Sequence, residues 1–141
     1  IPLRLVGSEM CIRDSYCSQR KQFGRALSKF QAIQHQISEM AVELAASSAA
    51  LSTITNSKDF YKNNKDIAIL KIRAGSAAGK IIAISHQVHG AIGFTQEYEL
   101  AYFTRNLNSW RNDFGNESYW EDFLGKDFLE NNNQNLWEYL T

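Results

Sequence analysis

The chain has 141 residues, 44% of them hydrophobic, and its fifteen Lys and Arg balance fifteen Asp and Glu. That length suffices for one domain with its own core, while balanced charge leaves no footprint for nucleic acid or an anionic membrane surface. Cys11 and Cys17 are too few for a disulfide framework, no run of about 18 apolar residues offers a membrane span, and a reducing cytoplasm or an organelle matrix is the expected setting, the cytoplasm being the one adopted.

Residues 1–15 lack a helical or strand period and are too charged for a signal peptide. The run Val6-Gly7-Ser8-Glu9-Met10-Cys11-Ile12-Arg13-Asp14 resembles translated adapter sequence found at the ends of environmental gene fragments; a native helix end is the alternative. On the adapter reading, residues 1–15 are a non-native extension, residues 16–141 form the domain, and the chain is part of a longer protein.

From Tyr16 the composition changes. Tyr16 to Leu27 reads as a helix end running into a glycine turn, with Gly24 just past the helix C-terminus. Arg20, Lys21 and Arg25 form a small basic cluster. A guanidinium fork suits a pair of phosphate oxygens, and cations also complement a helix C-terminus; the residues alone leave both open.

Residues 31–56 predict a long helix. Ile33, Ile37, Met40, Leu44, Leu51 and Ile54 recur at steps of three, four or seven, and Ala41, Ala45, Ala46, Ala49 and Ala50 thin its surface. Gln36, Glu39 and Glu43 mark its wetter side. His35, one turn before Glu39, reads as structural or as the edge of a ligand site. Residues 56–65 are a break, with Lys58, Lys62 and Lys65 as a solvated patch anchored by Phe60 and Tyr61.

Asp66 is placed to start a second long helix, whose stripe is Ile67, Leu70, Ala74, Ala77, Ile81, Ile84 and Val88. Ile69, Ile72, Ala78 and Ile82 are apolar outside that stripe, so this helix should be central and packed on several neighbours. Gly75 and Gly79 permit close approach by a neighbour. The helix delivers the chain to His86-Gln87-Val88-His89-Gly90-Ala91-Ile92-Gly93-Phe94-Thr95-Gln96-Glu97-Tyr98, a stretch that turns on glycines and exposes backbone. His86 and His89 share a helix face, but zinc wants at least three side-chain ligands, so no metal site is expected. Gln87 is the candidate hydrogen bonder to a ligand.

Thr95 is expected to cap a third helix over residues 96–110, with Leu100, Phe103, Leu107 and Trp110 inward and Arg105 and Arg111 exposed or ligand-facing. Tyr119, Trp120, Phe123 and Leu124 suggest a short further helix, either stopped near Gly125 or continued by Phe128 and Leu129. After a polar loop at 131–135, Leu136, Trp137, Tyr139 and Leu140 form an apolar end that needs a surface to dock on, its own bundle or a second subunit. The fold predicted is all-α, an antiparallel four-helix bundle with an extra short C-terminal helix.

Two spaced motifs carry a family resemblance. Arg20-x-x-Phe23-Gly24, followed by Leu27 and Phe30-Gln31, and then Gln87-Val88-His89-Gly90-Ala91 with Glu97-Tyr98 and Arg105, resemble the C-terminal helical domain of the acyl-CoA dehydrogenase family. The second run departs from the family's Gln-x-x-Gly-Gly-like turn by having alanine at Ala91. The resemblance implies an FAD-dependent oxidoreductase of fatty acid metabolism that dehydrogenates acyl-CoA thioesters at the α,β bond and passes electrons to an electron-carrier flavoprotein. It implies that Arg20 faces the flavin pyrophosphate, that Phe23 and Gln31 border the adenine, and that Gln87, Val88, His89, Gly90 and Ala91 contact the dinucleotide across a subunit interface in a homo- or hetero-oligomer. Acyl-CoA substrate would be held mainly by an N-terminal helical domain and a middle β domain that this chain does not include, so the fragment alone is expected to be inactive.

The family's glutamate base, where it lies in this region, aligns with Phe114. Asp113 falls one residue early and Glu117 three late, so the catalytic residues are left unassigned. Ser109 to Trp120 resembles a divergent part of the family, in which the base lies on another helix or on a partner subunit. The alternatives are a noncatalytic subunit of such an assembly and a helical dimerisation domain without flavin.

Overall fold

A computed structural model describes residues 14–56, 64–95 and 98–130, together with residues 7, 11, 135 and 139. A first helix, α1, is described over residues 14–19. It runs into an antiparallel hairpin of β1 (Lys21–Gln22) and β2 (Arg25–Ala26), then a 3-10 turn at Leu27–Lys29. There follow α2 (Gln31–Thr55), α3 (Asn64–His89), a second 3-10 turn at Gly90–Phe94, α4 (Glu99–Asn112) and α5 (Glu117–Glu130). The architecture is the all-α antiparallel bundle that the helical periodicities imply.

The hairpin is the feature the helical reading passed over. Gln22 pairs with Arg25 across a two-residue tip, and both tip residues have positive φ, 51° at Phe23 and 77° at Gly24. Two positive φ values are what a tight hairpin turn of matching twist requires. Gly24 is therefore the second tip residue and not a helix C-terminal glycine. The amide of Arg20 donates to Tyr16 O at 2.8 Å, and Leu27 N donates to Arg20 O at 2.9 Å, closing the hairpin at its base.

The core forms where α2, α3 and α4 meet. Met40, Ala78, Ile81 and Leu107 are fully or almost fully buried, Ile84 and Val88 nearly so, and Cys17 of α1 joins them. At steps of three and four these residues place one continuous apolar face on α3. The expectation that α3 is central holds: α2, α4, α5 and the second 3-10 turn all pack on it. Small residues make this possible. A Cβ added at Gly75 would lie 2.0 Å from Glu117 Oε1 of α5, and one added at Gly79 would lie 3.2 Å from Arg111 Nη1 of α4. Close approach through the two glycines is thus real, and what approaches is a pair of charged side chains.

Several local expectations are corrected. Glu43 is 6% exposed and lies inward, not on a wet face of α2. Its carboxylate is bound by Arg73, and by Lys80 Nζ at 2.5 Å, both on α3. The Lys80 hydrogen bond, together with the charge of Arg73 and against the opposing effect of burial, holds its pKa below the usual carboxylate value. Thr95 does not cap α4. Its hydroxyl donates back to Ile92 O at 2.8 Å, and Tyr98 is the N-cap residue, without a side-chain cap. α3 starts at Asn64, leaving Asp66 in its first turn. Of the two readings of the last helix, the continued one holds: α5 runs through Gly125, past Phe128 and Leu129, to Glu130.

Lys65 is half-buried and donates to Tyr139 O at 2.6 Å, so it is not part of a solvated patch. Tyr139 also donates through its hydroxyl to Asp127 Oδ2 at 2.6 Å and sets its ring 5.3 Å from that of Phe128. Burial, with the Asp127 hydrogen bond and charge adding to it, pushes its phenol up to about 12. At this residue the C-terminal end docks on its own bundle. Lys58, Phe60, Tyr61, Lys62, Leu136, Trp137 and Leu140 lie outside the described residues.

Candidate functional site

The N-terminal end of α2 and the C-terminal end of α3 lie together, since Ile33 and Val88 pack in one cluster with Cys17 and Leu27. The two motifs therefore meet at one end of the bundle. Arg20 and Gln31 are exposed there, and Phe23 is 92% exposed at the hairpin tip. A bulky residue at positive φ is strained, and here the strain presents an aromatic ring to solvent. Behind it, Phe30 closes the hairpin base, with the Arg25 guanidinium 4.1 Å from its ring centroid.

From the other motif, Gln87 and Ala91 are exposed, and Gly90 turns the chain out of α3 at φ 62°. Nothing lies within 4 Å of where a Gly90 Cβ would be, so this backbone is open to approach. Gln87, Gly90 and Ala91 border a shallow depression floored by Ile82, Ala83 and Phe94. Val88 and His89 differ from their neighbours. They are 9% and 4% exposed, with both side chains turned inward.

The two histidines are engaged within the fold. His86 stacks on Phe94 with centroids 4.3 Å apart, and its Nε2 is hydrogen-bonded to Thr104 Oγ1 at 2.9 Å. Burial lowers its pKa. The His89 ring stacks on Tyr16 at 4.4 Å and lies 5.3 Å from Tyr98. Its Nδ1–H donates to Ser85 O at 2.7 Å. Among the described residues no group of three His, Cys, Asp or Glu could hold a metal ion.

The turn after α4 is built from two further positive φ values, 59° at Phe114 and 94° at Gly115. Phe114 is 93% exposed, and its carbonyl accepts a hydrogen bond from Trp120 Nε1 at 3.1 Å. Asp113 is exposed. Glu117 accepts from Arg111 Nε at 2.8 Å. Burial pushes the Glu117 carboxyl up, but the Arg111 hydrogen bond and the charges of Arg111 and Lys71 outweigh it, so its pKa is lowered. Arg111 is consequently tied to the fold, whereas Arg105 is exposed. A carboxylate held ionised against a guanidinium is poorly suited to act as a general base.

The candidate site residues that are exposed, Arg20, Gln31, Gln87, Phe23 and the turn at Gly90 and Ala91, offer one guanidinium, two primary amides, one aromatic ring and an open glycine turn. These are chemically suited to the outer side of a dinucleotide, the guanidinium to phosphate and the ring to a heteroaromatic base. Sequence reasoning found these residues but missed that Tyr16 and Tyr98 enclose His89. The only signal was their aromatic type near a glycine turn, and their pairing is non-local.

Residues 5–119 match the acyl-CoA dehydrogenase C-terminal domain. The chain is 36% identical over 93 residues to a glutaryl-CoA dehydrogenase of Desulfococcus multivorans, covering 64% of this chain and 24% of that protein. It is 33% identical over 92 residues to the caffeyl-CoA reductase-Etf complex subunit CarC of Acetobacterium woodii, covering 64% and 24%. Its fold superimposes on the butyryl-CoA dehydrogenase of Megasphaera elsdenii with a TM-score of 0.83 at 25% identity, over 91% of this chain and 34% of that one. The chain thus spans about a quarter of the length of the curated relatives it matches. With the helical order, the spaced motifs and this match over most of its length, the chain belongs to the acyl-CoA dehydrogenase family, as a C-terminal domain of that family.

Proposed function

We propose that this domain supplies one wall of an FAD site and part of a subunit interface in an acyl-CoA dehydrogenase that oxidises acyl-CoA thioesters at the α,β bond. The observation that carries the reading is that the two motifs lie at one bundle end, where Tyr16 stacks on His89, and that Arg20, Phe23, Gln31, Gln87, Gly90 and Ala91 are all exposed, with chemistry suited to a dinucleotide. When bound, the flavin supplies the hydride acceptor. The roles of this chain are to bind and orient. Arg20 offers two donors to the pyrophosphate, Phe23 and Gln31 border the adenine, and the Gln87 amide with the open backbone at Gly90 and Ala91 meets the dinucleotide from a neighbouring subunit. Val88 and His89 support that turn from beneath.

The remaining site belongs to other parts of the parent protein, so this domain alone is inactive. The parent acts in a homo- or hetero-oligomer and passes electrons to a carrier flavoprotein. Among the described residues no helix is long and apolar enough to cross a membrane. The working compartment in this reading is the cytoplasm, where the thiols of Cys11 and Cys17 would stay reduced.

A noncatalytic subunit of such an assembly is the second reading, favoured by Phe114 standing where a glutamate base aligns and by Glu117 being committed to Arg111. One experiment addresses both. The parent protein is purified with any paired subunit, its visible spectrum recorded, and acyl-CoA thioesters added without oxygen. Flavin that bleaches, and that is retained less well in Arg20→Ala, supports the dehydrogenase. Flavin that never bleaches across acyl chains supports the noncatalytic subunit. Absence of flavin in every pairing removes the cofactor assignment.

A further inference from the structure

We infer that His89 is a positioning residue that locks the two halves of the proposed flavin wall into one register. The inference rests on the cofactor reading above for its functional consequence, and on geometry for everything else. His89 is the last residue of α3, directly before the turn at Gly90. Its imidazole is 4% exposed and touches three separate segments.

One face stacks on Tyr16 of α1 at 4.4 Å and 28° between planes. The carbonyl of that same Tyr16 accepts the Arg20 amide hydrogen bond, so the ring contact is one residue-to-residue bond away from the phosphate-facing guanidinium. The ring of Tyr98, the N-cap residue of α4, lies 5.3 Å from His89 and 6.3 Å from Tyr16, so the three rings form a closed triangle. The third tie is to its own helix. Because a carbonyl oxygen can only accept, Nδ1 carries the proton in its bond to Ser85 O, which fixes the tautomer and the ring plane.

The hairpin between Arg20 and Ala26 consists of two short strands, exposed along most of their length. Isolated hairpins are marginal in water. Arg20 and Phe23 are held relative to Gln87 and Gly90 by the anchorage on either side of the hairpin: the Tyr16–His89 stack and the buried Cys17 before it, and Leu27 against the core after it, and of these only the stack ties the hairpin directly to the residue before Gly90. A ring of the right size at position 89 is required for that purpose, and a hydrogen-bonding one keeps its plane constant.

The test uses the full-length parent protein with His89→Ala, His89→Phe and Tyr16→Ala, read by hydrogen exchange and by flavin titration. In His89→Ala, the amides of Arg20 and Leu27 are expected to exchange about tenfold faster, the scale of one lost aromatic pair, while those of Met40 and Ile81 in the core keep their protection. Flavin binding weakens by a similar factor. Tyr16→Ala gives the same two effects, and the double variant adds little to either single one, as expected for partners in one contact. His89→Phe, which keeps the stack, restores most of both.

Unchanged exchange at Arg20 and Leu27 in His89→Ala overturns the inference, whether or not flavin is bound. A uniform loss of protection through Met40 and Ile81, not rescued by His89→Phe, also overturns it, because it marks a general core role. A parent protein that carries no flavin but shows the local, rescued exchange effect sinks the cofactor reading and leaves the positioning role standing.

Discussion

Arg111 and Glu117, joined at 2.8 Å across the turn from α4 to α5, lie directly over the two glycines of α3. The pair fills the space that side chains at positions 75 and 79 would otherwise occupy, and it brings both short helices onto the central one. Lys71 completes the arrangement by donating to the carbonyls of Trp110 and Arg111, which have no partner within α4 at its C-terminus.

Gly75→Ala is accordingly expected to destabilise. The new methyl would displace the Glu117 carboxylate and break its bond to Arg111, outweighing the better helix propensity of alanine; the net loss should be about 1 kcal/mol or more. Gly125→Ala provides the opposite control. That position lies within α5 with nothing near a new Cβ, so a gain of about 0.5–1 kcal/mol is expected. Urea melts of the two variants should shift in opposite directions, and a stabilised Gly75→Ala would contradict the close approach.

Glu43→Gln tests the inward carboxylate. The substitution leaves Arg73 and Lys80 without their anion, at a cost of about 1–3 kcal/mol at neutral pH, discounted because both cations are partly exposed. The native pKa of Glu43 is lowered, so its contribution is present above the ordinary value near 4.5 and is lost as pH falls through the native one. Wild type should therefore lose stability on acidification more steeply than Glu43→Gln. Parallel curves would show that the carboxylate contributes nothing.

His86 gives a second pH dependence in a higher window. Its native pKa lies below the ordinary 6.5, so between those two values the unfolded chain binds more protons than the folded one. Stability should rise with pH across that interval and level off above 6.5. His86→Gln should flatten this rise, as followed by thermal midpoints taken in small pH steps.

Phe23→Asn should separate stability from cofactor binding. Asn tolerates positive φ and would make an Asn-Gly tip, so the hairpin should gain up to about 1 kcal/mol as strain is relieved. Flavin retention in the parent protein should fall, since the exposed ring is gone. A variant that is both steadier and equally able to hold flavin would remove Phe23 from the site.

The long helices were legible because their apolar spacing is local. Met40, Ile81, Ile84 and Val88 fall on the stripes read from sequence, and all are buried. Glu43 was misread because a carboxylate on a helix is usually wet; only the cations of α3, thirty and more residues away, make burial affordable. The hairpin was invisible because Phe-Gly is not the usual tip. Thr95 looked like a cap by type, but its hydroxyl found a carbonyl behind it. At the site, residue types identified Gln87 and Arg20, whereas the inward turn of His89 depends on Tyr16 and Tyr98, which no local pattern links to it.

That α3 contacts every other long helix bears on how the domain comes apart. A helix with neighbours on several sides cannot be released until those neighbours leave, so its amides should be the last to exchange with solvent. No peripheral element has a comparable set of partners, and none should persist once α3 is lost. Denaturation of the domain is then expected to be a single concerted event, with α3 as its timekeeper.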